Sequence, residues 1–267
     1  MQDAVQAEHR QTDVIDPDRA RALKAALDLP GGVDGGDPLP PFFHQIYFWD
    51  AQAPGQLGRD GHPRVGTGLI PDLGLPRRMW AGGEMQFHTP LRAGIEAEKH
   101  SWVVNISQKT GRSGALGFVT LSHEIRQAGQ CCVTERQDLV YRKDPDPQAP
   151  PPATQMARID EETRRDWTFS PTLLFRYSAL TFNGHRIHYD VEYAKSVEGY
   201  TGLVVHGPLL AQALLLMAAE QAPVKGFAFR ATSPLMHVET ATLCLRDTDM
   251  WVRAPDGRLC MMATVQR

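Results

Sequence analysis

One stretch, FRYSALTFNGHRIHYDVEYAKSVEGYTGLVVHGPLL at residues 175–210, concentrates groups suited to acid–base work on a bound molecule. His188 carries an imidazole, which titrates near neutral pH and can shuttle a proton. Asn183 cannot act as a base, but its amide oxygen and NH₂ can orient a water or the imidazole. Gly207 opens an apolar helical run, so its amide lies at the positive end of the helix dipole and is a natural donor to a developing oxyanion. A glycine there also lets a bound group approach the backbone. Arg186 suits a carboxylate bidentately, or serves as a solvent-exposed loop arginine. His185 fits either a hydrogen bond that holds the loop or a contact with substrate. His206 reads as fixing the turn before the helix, and Asp190 as capping a short helix. Isolated histidines are more often structural than catalytic, so the weight rests on the constellation.

The elements that position these residues follow from local patterns. Ser170-Pro171 supplies an N-cap and a first-turn proline for a helix through TLLFRYSALT. A short helix begins near His188 and ends at Glu198-Gly199. Residues 208–219 are helix formers and apolar on nearly every face, apart from Gln212, and such a helix must be enclosed. The segments GFAFRATS, ETATLCLRD, DMWVRA and RLCMMATVQR read as strands joined by short turns, with Arg230 on the first of them. TRRDWTFS is a further strand. An apolar helix followed by an antiparallel meander describes a helix wrapped in a curled sheet.

Upstream, residues 18–28 form an amphipathic helix ended by Pro30-Gly31-Gly32, and the aromatic run 42–49 reads as a strand. Residues 50–83, rich in Gly and Pro, read as loop. From Glu84 onward, β-branched and aromatic residues between glycine turns predict another meander. The stretch 144–154, DPDPQAPPPAT, cannot be helix interior or central strand and reads as an extended linker. It separates an N-terminal half, 1–143, from a C-terminal half, 155–267, and their similar sizes suggest duplication, although no literal repeat is visible.

The 267 residues are 42% apolar and 22% charged, with a formal net charge of −3. That is an ordinary globular mixture, and it excludes disordered and fibrous architectures. No basic patch argues for nucleic acid. Cys131, Cys132, Cys244 and Cys260 lack metal or redox spacing and read as reduced thiols in apolar positions. The N-terminal segment has no apolar targeting region, and the longest apolar run is too short for a bilayer. A cytoplasmic protein with no membrane partner is expected.

The segment 183–207 resembles the MaoC-like (R)-specific enoyl-CoA hydratase family, with signature D-x-N-P-[IL]-H-x-D and a later H-G. Asn183 falls on the family's catalytic aspartate, His188 on its catalytic histidine, Asp190 on the final acidic position and His206-Gly207 on the H-G. His185 and Arg186 stand where the family has asparagine and proline. The variant F-N-G-H-R-I-H-Y-D is similar to the branch holding type 2 hydroxyacyl-thioester dehydratases and the hydratases of mesaconyl-C4-CoA (3-methylfumaryl-CoA) and itaconyl-CoA. LPRRMWAGG and QDLVYR also fit that branch.

The resemblance implies an α+β double hot-dog. The C-terminal unit would carry the catalytic groups, and a degenerate N-terminal unit, its helix shortened or replaced by loop within 50–83, would form one wall of the acyl site. It implies a hydro-lyase that adds water to a 2-enoyl thioester, foremost mesaconyl-C4-CoA to give (S)-citramalyl-CoA. Itaconyl-CoA and 3-hydroxyacyl-ACP or -CoA are the alternatives. His188, Asn183 and Gly207 would be catalytic, and Arg186, His185, His206, Asp190 and Arg230 would bind substrate. No metal and no cofactor beyond the coenzyme A of the substrate are expected, in a monomeric pseudo-dimer or a homodimer. A hot-dog thioesterase would need an acid on the central helix, and none lies within 208–219. A non-catalytic acyl-CoA-binding protein is the remaining reading, favoured only by the loss of aspartate at position 183.

Overall fold

The computed structural model describes residues 8–111, 114–144 and 153–267. Residues 112–113 and most of the Pro-rich stretch, 145–152, lie outside the described residues.

A single ten-stranded antiparallel sheet dominates. Its strands are β1 (Glu8–Val14), β2 (Arg77–Phe87), β3 (Glu96–Gly111), β4 (Gly114–Gln127), β5 (Gln130–Arg142), β6 (Thr163–Trp167), β7 (Gly226–Ala231), β8 (Ala241–Arg246), β9 (Asp249–Arg253) and β10 (Leu259–Gln266). Their order, β1-β3-β4-β5-β2-β7-β10-β9-β8-β6, is the same five-strand arrangement met twice in opposite directions. The two copies meet where β2 pairs with β7, from Gly82↔Arg230 to Gln86↔Gly226. The duplication invisible in the residues is thus explicit in the topology.

Among the described residues, four α-helices accompany the sheet: α1 (Pro17–Ala26), α2 (Pro171–Leu180), α3 (Val191–Ser196) and α4 (Gly207–Ala219). Helix α4 is the enclosed rod that its composition requires: Leu209, Leu210, Leu214 and Leu215 are all buried against the sheet. Each such leucine contributes roughly 1.5–3 kcal/mol on burial. Gln212, the polar exception, donates to the Pro41 carbonyl at 3.1 Å and ties α4 to the first half. Ser170 caps α2 through Leu173 N at 3.1 Å.

Three expectations need correction. Residues 42–49 do not form a strand: positive φ at Phe42 (71°) and Phe48 (59°) bends the chain twice, and a 3-10 turn fills Phe43–Ile46. Phe42, Phe43 and Ile46 are buried beside Met85, Ile125 and Val133. This segment, rather than 50–83 alone, takes up the central-helix position of the first half; residues 65–75 cover the remainder, around Val119, Leu121 and Leu139. Second, β2 begins at Arg77, inside the presumed loop. Its glycines fit because a Cβ on Gly82 would sit 2.6 Å from Phe229 O, and one on Gly83 2.8 Å from Arg136 O. Third, residues 8–14, ahead of the helix expected over 18–28, form a polar edge strand paired to β3.

All four cysteines are free, and all except the half-buried Cys131 are buried. Burial pushes the Cys244 and Cys260 thiols up to about 12 and about 11. Among the described residues, no helix is long and apolar enough to cross a membrane.

Candidate active site

The site is built where α2 ends. Phe182 adopts a positive φ of 51°, and the chain turns into the loop that carries Asn183. Asn183 Oδ1 accepts from His185 N at 3.0 Å, a local turn that fixes the loop ahead of a 3-10 turn at Arg186–His188. Asn183 therefore acts on loop geometry, and among the described residues its NH₂ has no partner.

His188 is buried. Its Nδ1 lies 2.7 Å from the Val204 carbonyl, an acceptor only, so Nδ1 bears the hydrogen and Nε2 keeps a lone pair. Burial lowers its pKa to about 3, against the opposing pull of the Val204 hydrogen bond and with a smaller contribution from His62. The imidazole is neutral at physiological pH, with its basic nitrogen unengaged by any described residue.

The His206 ring stacks on His188, centroids 3.6 Å apart and planes 20° apart. Ser178 Oγ meets His206 Nε2 at 2.8 Å, and Tyr177 packs edge-on against the same ring at 5.0 Å. Gly207 follows immediately and opens α4. Its amide donates no hydrogen bond among the described residues, and Pro208 beside it has no N–H. The space a Cβ would take at Gly207 touches only Trp80 O, at 3.8 Å. A free backbone donor at a helix start thus follows directly on His206, whose ring stacks against the His188 imidazole.

His185 completes a chain of rings. It is buried, 5.3 Å edge-on from His188 and 4.5 Å from His62, which belongs to the loop of the first half. His62 Nδ1 meets Asp60 Oδ2 at 3.0 Å. Burial holds His62 and His185 below the usual histidine range, and the charge of Arg78 adds to this in both. For Asp60, burial alone would raise the carboxyl; the His62 hydrogen bond and charge, with Arg78, bring it down.

Two glycines make this contact between the halves. A Cβ on Gly61 would fall 2.0 Å from Gly184 O, and one on Gly184 would fall 2.4 Å from Gly61 O. Asp60 O accepts from Arg186 N at 2.8 Å in the same junction. Asp60, His62 and His185 also bring ligand atoms within 4.8 Å of one another, a metal-like spacing. Asp60 and His62 are already hydrogen-bonded to each other, however, and Arg78 and Arg77 bear on His185, so the local field opposes a cation.

The remaining expected residues take other tasks. Arg186 directs Nε and NH2 to Asp190 Oδ2 at 3.0 and 2.7 Å and lies over the Tyr193 ring. Its guanidinium is engaged by Asp190 and, across the junction, by the Arg59 carbonyl at 3.2 Å. Asp190 caps α3 through Tyr193 N at 3.0 Å. Arg230 is exposed, where its neighbour Phe229 is buried in the core. No contact among the described residues joins Arg230 to the histidines.

Asp60, His62 and Arg78 escaped the sequence reading. The only local signal is GRDGHPR, an aspartate and a histidine set among glycines within what reads as loop. The first half therefore sets polar groups against the histidines of the second half.

A family model for hydroxyacyl-thioester dehydratase type 2 matches residues 42–237. The chain belongs to that family. It is similar to the mesaconyl-C(4)-CoA hydratase of Chloroflexus aurantiacus, 43% identical over 255 residues, covering 93% of this chain and 91% of the relative. A MaoC-like dehydratase structure from Phytophthora capsici superposes with TM-score 0.71 at 14% identity, covering 100% and 99% of the two chains. A Mycobacterium tuberculosis protein described as a double hotdog fold matches at TM-score 0.58 and 12% identity, covering 98% and 96%. The α+β double hot-dog stands, and with it a hydro-lyase that acts on acyl thioesters.

Proposed function

We propose that this chain hydrates a 2-enoyl-CoA, foremost mesaconyl-C4-CoA to (S)-citramalyl-CoA, with His188 as its base. The observation that carries the reading is His188 Nδ1 held by the Val204 carbonyl, which leaves Nε2 basic on a ring stacked against His206, the residue before the free Gly207 amide. The choice of acyl group rests on the identity with the Chloroflexus aurantiacus relative.

In this reaction His188 Nε2 takes a proton from water as the water oxygen bonds to the β-carbon. The π electrons move toward the thioester, and the enolate oxygen accepts from Gly207 N–H. Preorganised donors of this kind are typically worth roughly 3–4 kcal/mol in the transition state. The imidazolium then returns its proton to the α-carbon, so that H and OH are added in total and the base is regenerated. Asn183 positions the loop through His185 N, and its free NH₂ is available to the water. His206 packs behind the base as a neutral ring, held neutral by burial. We place this activity in the cytoplasm, in keeping with unpaired cysteines.

The test is loss of enoyl-thioester absorbance with purified protein and mesaconyl-C4, itaconyl and crotonyl thioesters of coenzyme A. Preference for the mesaconyl-C4 thioester supports the reading. Turnover confined to uncharged straight-chain thioesters would return the chain to the general dehydratase activity of its family.

A further inference from the structure

Gly207 has one close neighbour outside its own helix. The space a Cβ would take there meets the Trp80 carbonyl and nothing else within 4 Å, so Trp80 stands beside the amide assigned to the enolate oxygen. Trp80 also sits at a break in β2. The register of β2 on β5 slips between Trp80 and Gly82, and the indole Nε1 donates to Gly82 O at 2.9 Å across that bulge. Bulges next to active sites re-aim a side chain. Here the hydrogen bond pins the indole along its own strand.

Two more rings close on it. Trp80 lies 5.9 Å from Phe229 and 6.4 Å from Phe42, and Phe42 meets Phe229 edge-on at 6.3 Å, all between centroids. The backbone fixes both partners. A positive φ of 71° sets the turn at Phe42, and Phe229 packs over Gly83, where a Cβ would fall 3.1 Å from its ring. Trp80 also packs against the cluster of Leu75, Val119, Leu121 and Leu139, so the first half is filled on that side. Phe42 in turn lines a largely apolar cavity of about 290 Å³ with Leu39, Phe87, Leu91 and Val133. Ala219, the last residue of α4, lines it too, which puts the cavity at the opposite end of the rod from Gly207, about 18 Å along the axis. Gly207, Trp80, Phe42 and this cavity are neighbours in series, with two rings in the middle.

We propose that Trp80 determines specificity for acyl length: backed by Phe42 and Phe229, its indole closes the acyl site just beyond the reacting carbons and restricts the enzyme to short enoyl thioesters. The assignment rests on the hydratase reading above and deepens it by naming the substrate class. A thioester oxygen on Gly207 N–H brings the acyl group up to the residue whose carbonyl abuts that glycine. A short acyl unit ends there, whereas a long straight chain must pass the rings to reach the apolar cavity beyond Phe42. Interiors packed in this way yield little. Swinging the indole aside would also strand its N–H without the Gly82 acceptor, a cost that holds the wall shut.

The experiment compares wild type, Trp80→Phe, Trp80→Leu and Trp80→Ala on 2-octenoyl-CoA and on the short thioester that wild type hydrates faster, mesaconyl-C4-CoA or crotonyl-CoA. Circular dichroism melts establish which variants are folded, and Trp80→Leu, the milder truncation, serves where Trp80→Ala does not fold. The quantity read is the ratio of kcat/KM for the long over the short substrate. Trp80→Leu and Trp80→Ala raise that ratio by roughly tenfold or more, the scale on which an apolar pocket discriminates by a methylene. Trp80→Phe keeps a ring in place and leaves the ratio close to that of wild type. General damage to the core lowers both rates together and does not move the ratio. An unaltered ratio in folded Trp80→Leu overturns the assignment, as does wild-type protein that already hydrates 2-octenoyl-CoA as fast as the short thioester. Wild-type protein that hydrates none of the three would instead sink the hydratase reading, so the two failures are separable.

Discussion

His188 and His206 lie face to face, 3.6 Å between ring centroids, and each is anchored at one nitrogen: Nδ1 of His188 by Val204 O, and Nε2 of His206 by Ser178 Oγ. Two protonated rings could not stack this closely in a buried site. The pair is stable because both rings stay neutral.

That neutrality fixes the pH response. Burial holds His188 at about 3, so the basic form persists well below the usual histidine range. The profile of kcat/KM for hydration is expected to stay level from about pH 8 to about pH 5, where an ordinary histidine base would lose activity near pH 6.5. Steady-state rates across that range check this. An acid limb centred near pH 6.5 would contradict it.

Stability carries the same signature with its own sign. In the unfolded chain these histidines titrate near pH 6.5; in the fold His188 and His123 fall to about 3, and His185 and His206 are also lowered, all chiefly by burial. Between those pH values the unfolded chain binds more protons, so their contribution is fully present above pH 6.5 and is lost as pH falls toward 3. Melting temperature should begin to decline below about pH 6.5, before most carboxylates titrate. A plateau down to pH 4.5 would refute the neutral cluster.

The Gly61–Gly184 junction sets how the two halves meet. With a Cβ on Gly184 only 2.4 Å from Gly61 O, Gly184→Ala must part backbone from backbone and shift His62 away from His185. Misplacement of about 1 Å at such a site costs on the order of a hundredfold in rate. Turnover measured beside a melting curve separates displacement from unfolding, and Gly32→Ala, where a Cβ meets nothing within 4 Å, is the control. Equal activity in both variants would mean that the junction does not govern the site.

Asn183→Asp keeps an oxygen for His185 N and removes the NH₂. The loop should therefore fold with little change in melting temperature, while kcat falls by about tenfold or more, toward the lower end of proton-handling effects. A rise in kcat would mean that an Asp/His pair works better here, and that Asn183 is a weakened remnant.

What the sequence reveals follows what is local. Ser170-Pro171, the apolar rod α4 and the Asn183–His188 loop are legible because capping, periodicity and motif spacing lie within single segments. The edge strand β1 is not: its alternation is faint, since most of its side chains face water. The run 42–49 has the composition of a strand, but tertiary burial of Phe42 and Phe43 overrides that preference. The polar face of the site was hidden for a different reason. Asp60, His62 and Arg78 come near His185 where the two halves pack backbone to backbone at Gly61–Gly184, a contact between distant segments that no local pattern encodes.

The most direct test of the account is the hydration rate of His188→Ala on the preferred enoyl-CoA, measured with protein shown to be folded. A loss of roughly 10²–10⁴-fold is expected if Nε2 of this ring moves the proton beside the Gly207 amide. A rate within threefold of wild type would contradict it.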